Sequence, residues 1–179
     1  MFNLVITLML KPRYFFRTMR IDGTNHTARL FLLLIASLVG LIWAYMVWAR
    51  LLPSWSRRPS VMVALVGGEL VFVSVIVLTY VEALGVTYFS RRRGWRVPFR
   101  LAERLVCYCA IGWVPVAIIM GITMRFYADG RLDGWMSSLL GVWGPWQSLE
   151  LLVLIGAVSL LWFETLVWIG VRQTKYANG

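Results

Sequence analysis

A chain of 179 residues is long enough for one domain, yet 60% of it is hydrophobic and only 15% charged, against roughly 25% charged in soluble domains. A soluble core of that size has no room for so much apolar surface, so the composition excludes an ordinary soluble globular domain and calls for lipid as the solvent. The net charge of +10 comes from 18 Lys and Arg against 8 Asp and Glu; because the arginines fall between apolar runs, they read as topology determinants and phosphate-facing anchors, with no nucleic-acid partner implied.

The predicted architecture is all-α: a polytopic bundle of about four spanning helices led by an N-terminal interfacial helix. Met1–Leu10 is apolar but only half the length of a span. Phe2, Val5, Ile6 and Met9 form one stripe at helical spacing. Lys11, Arg13, Arg17 and Arg20 follow, interleaved with Tyr14, Phe15 and Phe16, a mixture suited to the headgroup layer. The expectation is a helix lying on the membrane over residues 1–20; an ordinary helix packed on the bundle is the other reading. Ile21–Thr27 reads as a polar turn.

Leu30–Ala49 is the clearest span, uncharged and flanked by Arg29 and Arg50. Ala36, Gly40 and Ala44, four apart, make a small-residue stripe that lets a second helix approach closely. Leu51–Ser60 is a loop with two prolines. Val61–Ser90 is an apolar run of about 45 Å as a helix, longer than the roughly 30 Å hydrocarbon core, so it tilts or projects. Arg91–Arg104 reads as a basic loop carrying Arg91, Arg92, Arg93 and Arg96. Leu105–Met124 is the third span, with Pro115 set to kink it. Arg125–Leu132 is a polar loop, and Trp135–Trp146, too short to cross and rich in glycine, is placed at the surface. Leu149–Val171 is the fourth span.

With four spans, thirteen of the 18 basic residues fall on the side of the termini and five on the other. The positive-inside rule then puts both termini in the cytoplasm. Four glutamates lie in apolar runs. Glu82 and Glu150 sit near span ends, within reach of water. Glu69 and Glu164 are deeper, about 12 Å and about 22 Å into their spans, and are the candidate intramembrane polar sites, expected to face the bundle interior. Cys107 and Cys109 point about 200° apart on a helix and read as small buried side chains. A single histidine, His26, and the lack of a phosphate-binding glycine loop, a GxSxG or an HExxH leave catalysis, metal ligation and cofactor binding without support.

The short apolar lead into Lys11-Pro12-Arg13-Tyr14-Phe15-Phe16-Arg17, the basic stretch Arg91–Arg100 before a span and the closing Val171–Asn178 (VRQTKYAN) resemble the bacterial members of the Yip domain family of multi-span membrane proteins. Family members usually show about five spans, where this chain shows four and two surface segments. The resemblance implies a non-enzymatic membrane-organising protein of the bacterial inner membrane. Its implied contacts are anionic lipid headgroups, met by Lys11, Arg13, Arg17, Arg20, Arg91, Arg92, Arg93 and Arg96, and a second copy or another membrane protein. Two other readings are a small transporter or channel subunit using Glu69 and Glu164, and an accessory subunit of a larger membrane complex.

Overall fold

The computed structural model describes residues 2–18, 25–48, 61–95, 97–128 and 145–174, all of them helical apart from short turns, with no strand among the described residues. The helices are α1 (Phe2–Leu10), α2 (Pro12–Thr18), α3 (His26–Trp48), α4 (Val61–Arg92), α5 (Phe99–Cys109), a 3₁₀ turn (Ala110–Gly112), α6 (Trp113–Ala128) and α7 (Pro145–Thr174). Among the described residues, three stretches are long and apolar enough to cross a membrane: His26–Trp48, Val61–Arg92 and the joined Phe99–Thr123. α7 has 30 residues and contains the whole of the predicted Leu149–Val171 span. The predicted loop Leu51–Ser60 lies outside the described residues, as does Trp135–Trp146 up to residue 144; the predicted loop Arg125–Leu132 is corrected in its first half, where α6 continues through Ala128.

The helix ends follow from local chemistry. Lys11 alone separates α1 from α2, and Pro12 opens α2 at the position where its missing N–H costs nothing. α4 closes on Gly94, whose φ of 69° lies in the left-handed region that glycine tolerates. There the Trp95 N–H donates to the Ser90 carbonyl at 2.9 Å and the Gly94 N–H to the Arg91 carbonyl at 3.1 Å, the paired bonds of a Schellman cap. Pro115 removes the N–H that would bond the Ile111 carbonyl, and the chain tightens to 3₁₀ geometry just upstream, at Ala110–Gly112.

α5 is the axis of the bundle. Every residue from Leu101 to Gly112 is buried, with α3, α4 and α7 packed around it. The Arg91–Arg104 segment, expected as a loop, is therefore corrected: Arg91 and Arg92 end α4, only residues 93–98 connect, and α5 starts at Phe99 because Leu101, Ala102, Leu105 and Val106 recur at helical spacing and all bury. α3 meets α4 along the Ala36–Gly40–Ala44 stripe. A Cβ on Gly40 would stand 2.8 Å from the Gly68 carbonyl oxygen, and one on Gly68 would stand 2.8 Å from that of Gly40. Only glycine permits this backbone approach.

The N-terminal segment also differs from expectation. It is two short helices packed on the bundle, with Leu8 fully buried and Phe16 nearly so, and α2 lies along α7. Phe15 meets the Tyr108 ring edge-on at 5.3 Å. Of the predicted stripe, Ile6 is exposed and Met9 partly buried against the core; Leu8, off that stripe, and Phe16 are buried, while Leu10 and Tyr14 stay exposed. Cys107 and Cys109 are buried free thiols, as the helical spacing requires.

Candidate functional site

Two clusters of polar side chains stand out, one sealed and one open. The sealed cluster is centred on Glu103, which is 2% exposed on the second turn of α5. Its carboxylate accepts from Arg29 Nε at 2.7 Å, Asn25 Nδ2 at 2.6 Å and the Tyr80 hydroxyl at 3.3 Å. Asn25, just ahead of α3, also donates to the Arg100 carbonyl at 2.9 Å and accepts from Arg104 Nε at 3.0 Å. Arg104 is itself buried. Donors from α3 and α4 thus converge on an acid from α5. A buried carboxylate is tolerated only when its lone pairs are filled, and here each oxygen is. Arg29 reaches in from outside, with its side chain 57% exposed.

Glu103, Asn25 and Arg104 were not singled out by the sequence. Glu103 is one acid among six arginines, and as a loop the stretch looks uniformly basic. The available signal was the helical spacing Arg100–Glu103–Arg104 set within the apolar positions of α5.

The open cluster lies at the end of the bundle where α2, the α4–α5 connection and the last turns of α7 meet. Lys11, Arg13 and Arg17 are exposed on and beside α2, and Arg91, Arg92 and Arg93 on the end of α4. Arg20 and Arg96 lie outside the described residues. The arginines lie over aromatic rings: Arg92 over Tyr88 at 5.5 Å, Arg93 over Trp95 at 5.1 Å and Arg172 over Trp168 at 5.2 Å. Such stacking holds a guanidinium in place while leaving its N–H fork turned outward. Two adjoining cavities open here. One of about 220 Å³ is lined by Arg13, Trp168, Ile169, Arg172 and Gln173; the other, of about 380 Å³, by Arg93, Trp95, Trp168, Val171 and Arg172. The sequence identified Arg13 and Arg93 as headgroup contacts and did not count Arg172 among them.

Glu69 and Glu164 do not face the bundle interior. Both occupy exposed positions on the outside of their helices. The expectation of inward-facing acids is corrected: the inward stripe of α4 is built from Ala64, Gly68, Val75 and Thr79, which leaves Glu69 on the next face, at the rim of a groove with Ser37, Gly40 and Phe72. Hydroxyls within the helices satisfy themselves: Thr79, Thr87, Thr123 and Thr174 donate to the carbonyls four residues back, at 2.7, 2.8, 2.9 and 3.0 Å. Among the described residues no group of His, Cys, Asp or Glu is arranged to hold a metal ion.

Compared with known protein families, curated proteins and solved structures, the chain matches none. It is an all-α helical bundle with three helices long and apolar enough to cross a membrane.

Proposed function

We propose that the chain is a non-enzymatic, Yip-like membrane-organising protein of the bacterial inner membrane, with four crossings, both termini in the cytoplasm and its basic end gripping the anionic headgroups of that leaflet. One observation carries the reading: α2, the α4–α5 connection and the end of α7, distant in sequence, bring Arg13, Arg93 and Arg172 to one end of the bundle together with Trp95 and Trp168. Each basic side chain near an anionic surface is worth about 1 kcal/mol of attraction. The order of the spans agrees, since with four crossings the sequence segments on the side of the termini carry thirteen of the 18 basic residues.

The test uses the full chain reconstituted into vesicles of phosphatidylcholine alone or with phosphatidylglycerol. Self-association and vesicle deformation are expected only where the anionic lipid is present, and to fall sharply when Lys11, Arg13 and Arg17 are all changed to Gln. Deformation that ignores lipid charge sinks the reading. The N-terminal segment itself is kept, because Leu8 and Phe16 belong to the core.

A second reading, a subunit of a larger membrane complex, is favoured by Glu69. A carboxyl on the outer face of a crossing helix is costly against lipid and gains a partner only from another chain. Gentle purification followed by mass measurement separates the two: a particle containing only this chain supports the first, and a stable hetero-complex the second.

A further inference from the structure

The two basic cavities do not stand alone. A third cavity, of about 500 Å³ and almost wholly apolar, runs between α6 and α7 and is closed on one side by Met9 of α1. Its α7 wall is Val158, Leu161, Trp162 and Thr165. The α7 wall of the basic cavities is Trp168, Ile169 and Arg172. Leu161, Thr165, Trp168 and Arg172 stand at i, i+4, i+7 and i+11, which is one continuous face of a helix. Thr165 and Arg172 are about 10 Å apart along the axis, so the apolar cavity lies about one headgroup's depth below the basic pair. The opposite wall keeps the same order, with Met9 at the apolar level and Arg13 at the basic level. Thr165 donates its hydroxyl to the Leu161 carbonyl at 2.6 Å, so even the polar atom at the mouth of the groove is satisfied within the helix.

We infer that this face of α7 holds one phospholipid, with an acyl chain in the groove between α6 and α7 and its phosphate between Arg13 and Arg172, and that it prefers a lipid bearing two phosphates. The preference follows from the second basic cavity. It shares Trp168 and Arg172 with the first and adds Arg93, so a second phosphate joined to the first finds its own guanidinium while Arg172 serves both. Guanidinium forks match phosphate oxygens bidentately, and basic pockets between membrane helices suit headgroups of this kind. Gln173 adds an amide donor at the first position. A free phosphate lacks the chain that fills the apolar groove, which makes the site one for a lipid rather than for a soluble anion.

The inference rests on the reading that this end faces an anionic leaflet, but it is tested separately. The delipidated full chain in a neutral detergent is titrated, under native mass spectrometry, with diphosphatidylglycerol, phosphatidylglycerol and phosphatidylcholine of matched chains, and with inorganic phosphate and pyrophosphate. One diphosphatidylglycerol per chain is expected, bound about tenfold more tightly than phosphatidylglycerol, with phosphatidylcholine weaker again and the free anions without effect. Arg93→Gln is expected to erase the difference between the two anionic lipids. Arg172→Gln should weaken both by about tenfold, and Thr165→Trp, which fills the groove, should weaken all three lipids. Thermal melting of the lipid-free variants serves as the control: Arg93→Gln and Arg172→Gln change exposed side chains and should melt as the parent does. Equal binding of phosphatidylcholine and diphosphatidylglycerol, or undiminished binding by Arg172→Gln, overturns the proposal; pyrophosphate competing as well as the lipid overturns its acyl-chain half. A tight single lipid with no vesicle deformation would leave this site standing and remove the organising role above.

Discussion

Arginine does opposite work at the two polar clusters. At the sealed cluster Arg29 is spent on a carboxylate of the same chain, and Glu103 with its donors ties α3, α4 and α5 together. At the open cluster Arg93 and Arg172 rest on tryptophan faces. A guanidinium with its fork filled by protein is a fastener; one stacked on a ring with its fork turned outward is a receptor for an anion. Composition counts both alike. What separates them is whether an acid sits at helical distance on a neighbouring buried face.

That contrast can be broken most directly at Glu103. Replacing it with Ala leaves the Asn25 and Tyr80 donors without their acceptor and should cost about 3 kcal/mol, read as a large drop in melting temperature in detergent. A parent-like melt would erase the distinction between fastener and receptor. Gly68→Ala comes next, at about 2 kcal/mol, since its Cβ would meet the Gly40 carbonyl oxygen at 2.8 Å and force α3 from α4. Gly94→Ala should cost about 1 kcal/mol through the left-handed φ. It also misplaces Trp95, so it should weaken anionic-lipid binding beyond its effect on melting, and it sharpens the comparison by acting on both. Tyr80→Phe removes one long hydrogen bond and should cost about 0.5 kcal/mol, seen as a small melting shift. Arg172→Gln should leave stability within about 0.5 kcal/mol while lipid binding falls.

The long helices were legible because lipid demands uninterrupted apolar runs: Val61–Ser90 and Leu149–Val171 fall inside α4 and α7, Leu30–Ala49 follows α3 to its last described residue, and Leu105–Met124 runs from α5 through the 3₁₀ turn into α6. The Ala36–Gly40–Ala44 stripe announced a close helix contact, though not that Gly68 would answer it. The start of α5 was not legible, because a helix turn carrying Arg100, Glu103 and Arg104 has the composition of a loop. Its burial is visible only if Glu103 and Arg104 are allowed inside, which requires knowing that Asn25 waits for them. The directions of Glu69 and Glu164 were not legible either. Depth along a span follows from counting residues, but the face an acid occupies depends on which neighbour each helix chooses. The lipid groove was hidden for the same reason, since α1, α6 and α7 meet only in three dimensions.

The sealed cluster also bears on how the chain is made. The threonine hydroxyls of α4, α6 and α7 are closed on their own helices and can enter the bilayer without a neighbour. α5 cannot: its carboxylate and the buried Arg104 need partners from elsewhere. Those partners, Asn25, Arg29 and Tyr80, all leave the ribosome earlier than Glu103 does. Synthesis from the N-terminus therefore delivers the receptacle before the group it must receive, and a rearranged chain beginning with α5 would present the Glu103 carboxylate to the hydrocarbon before its donors exist.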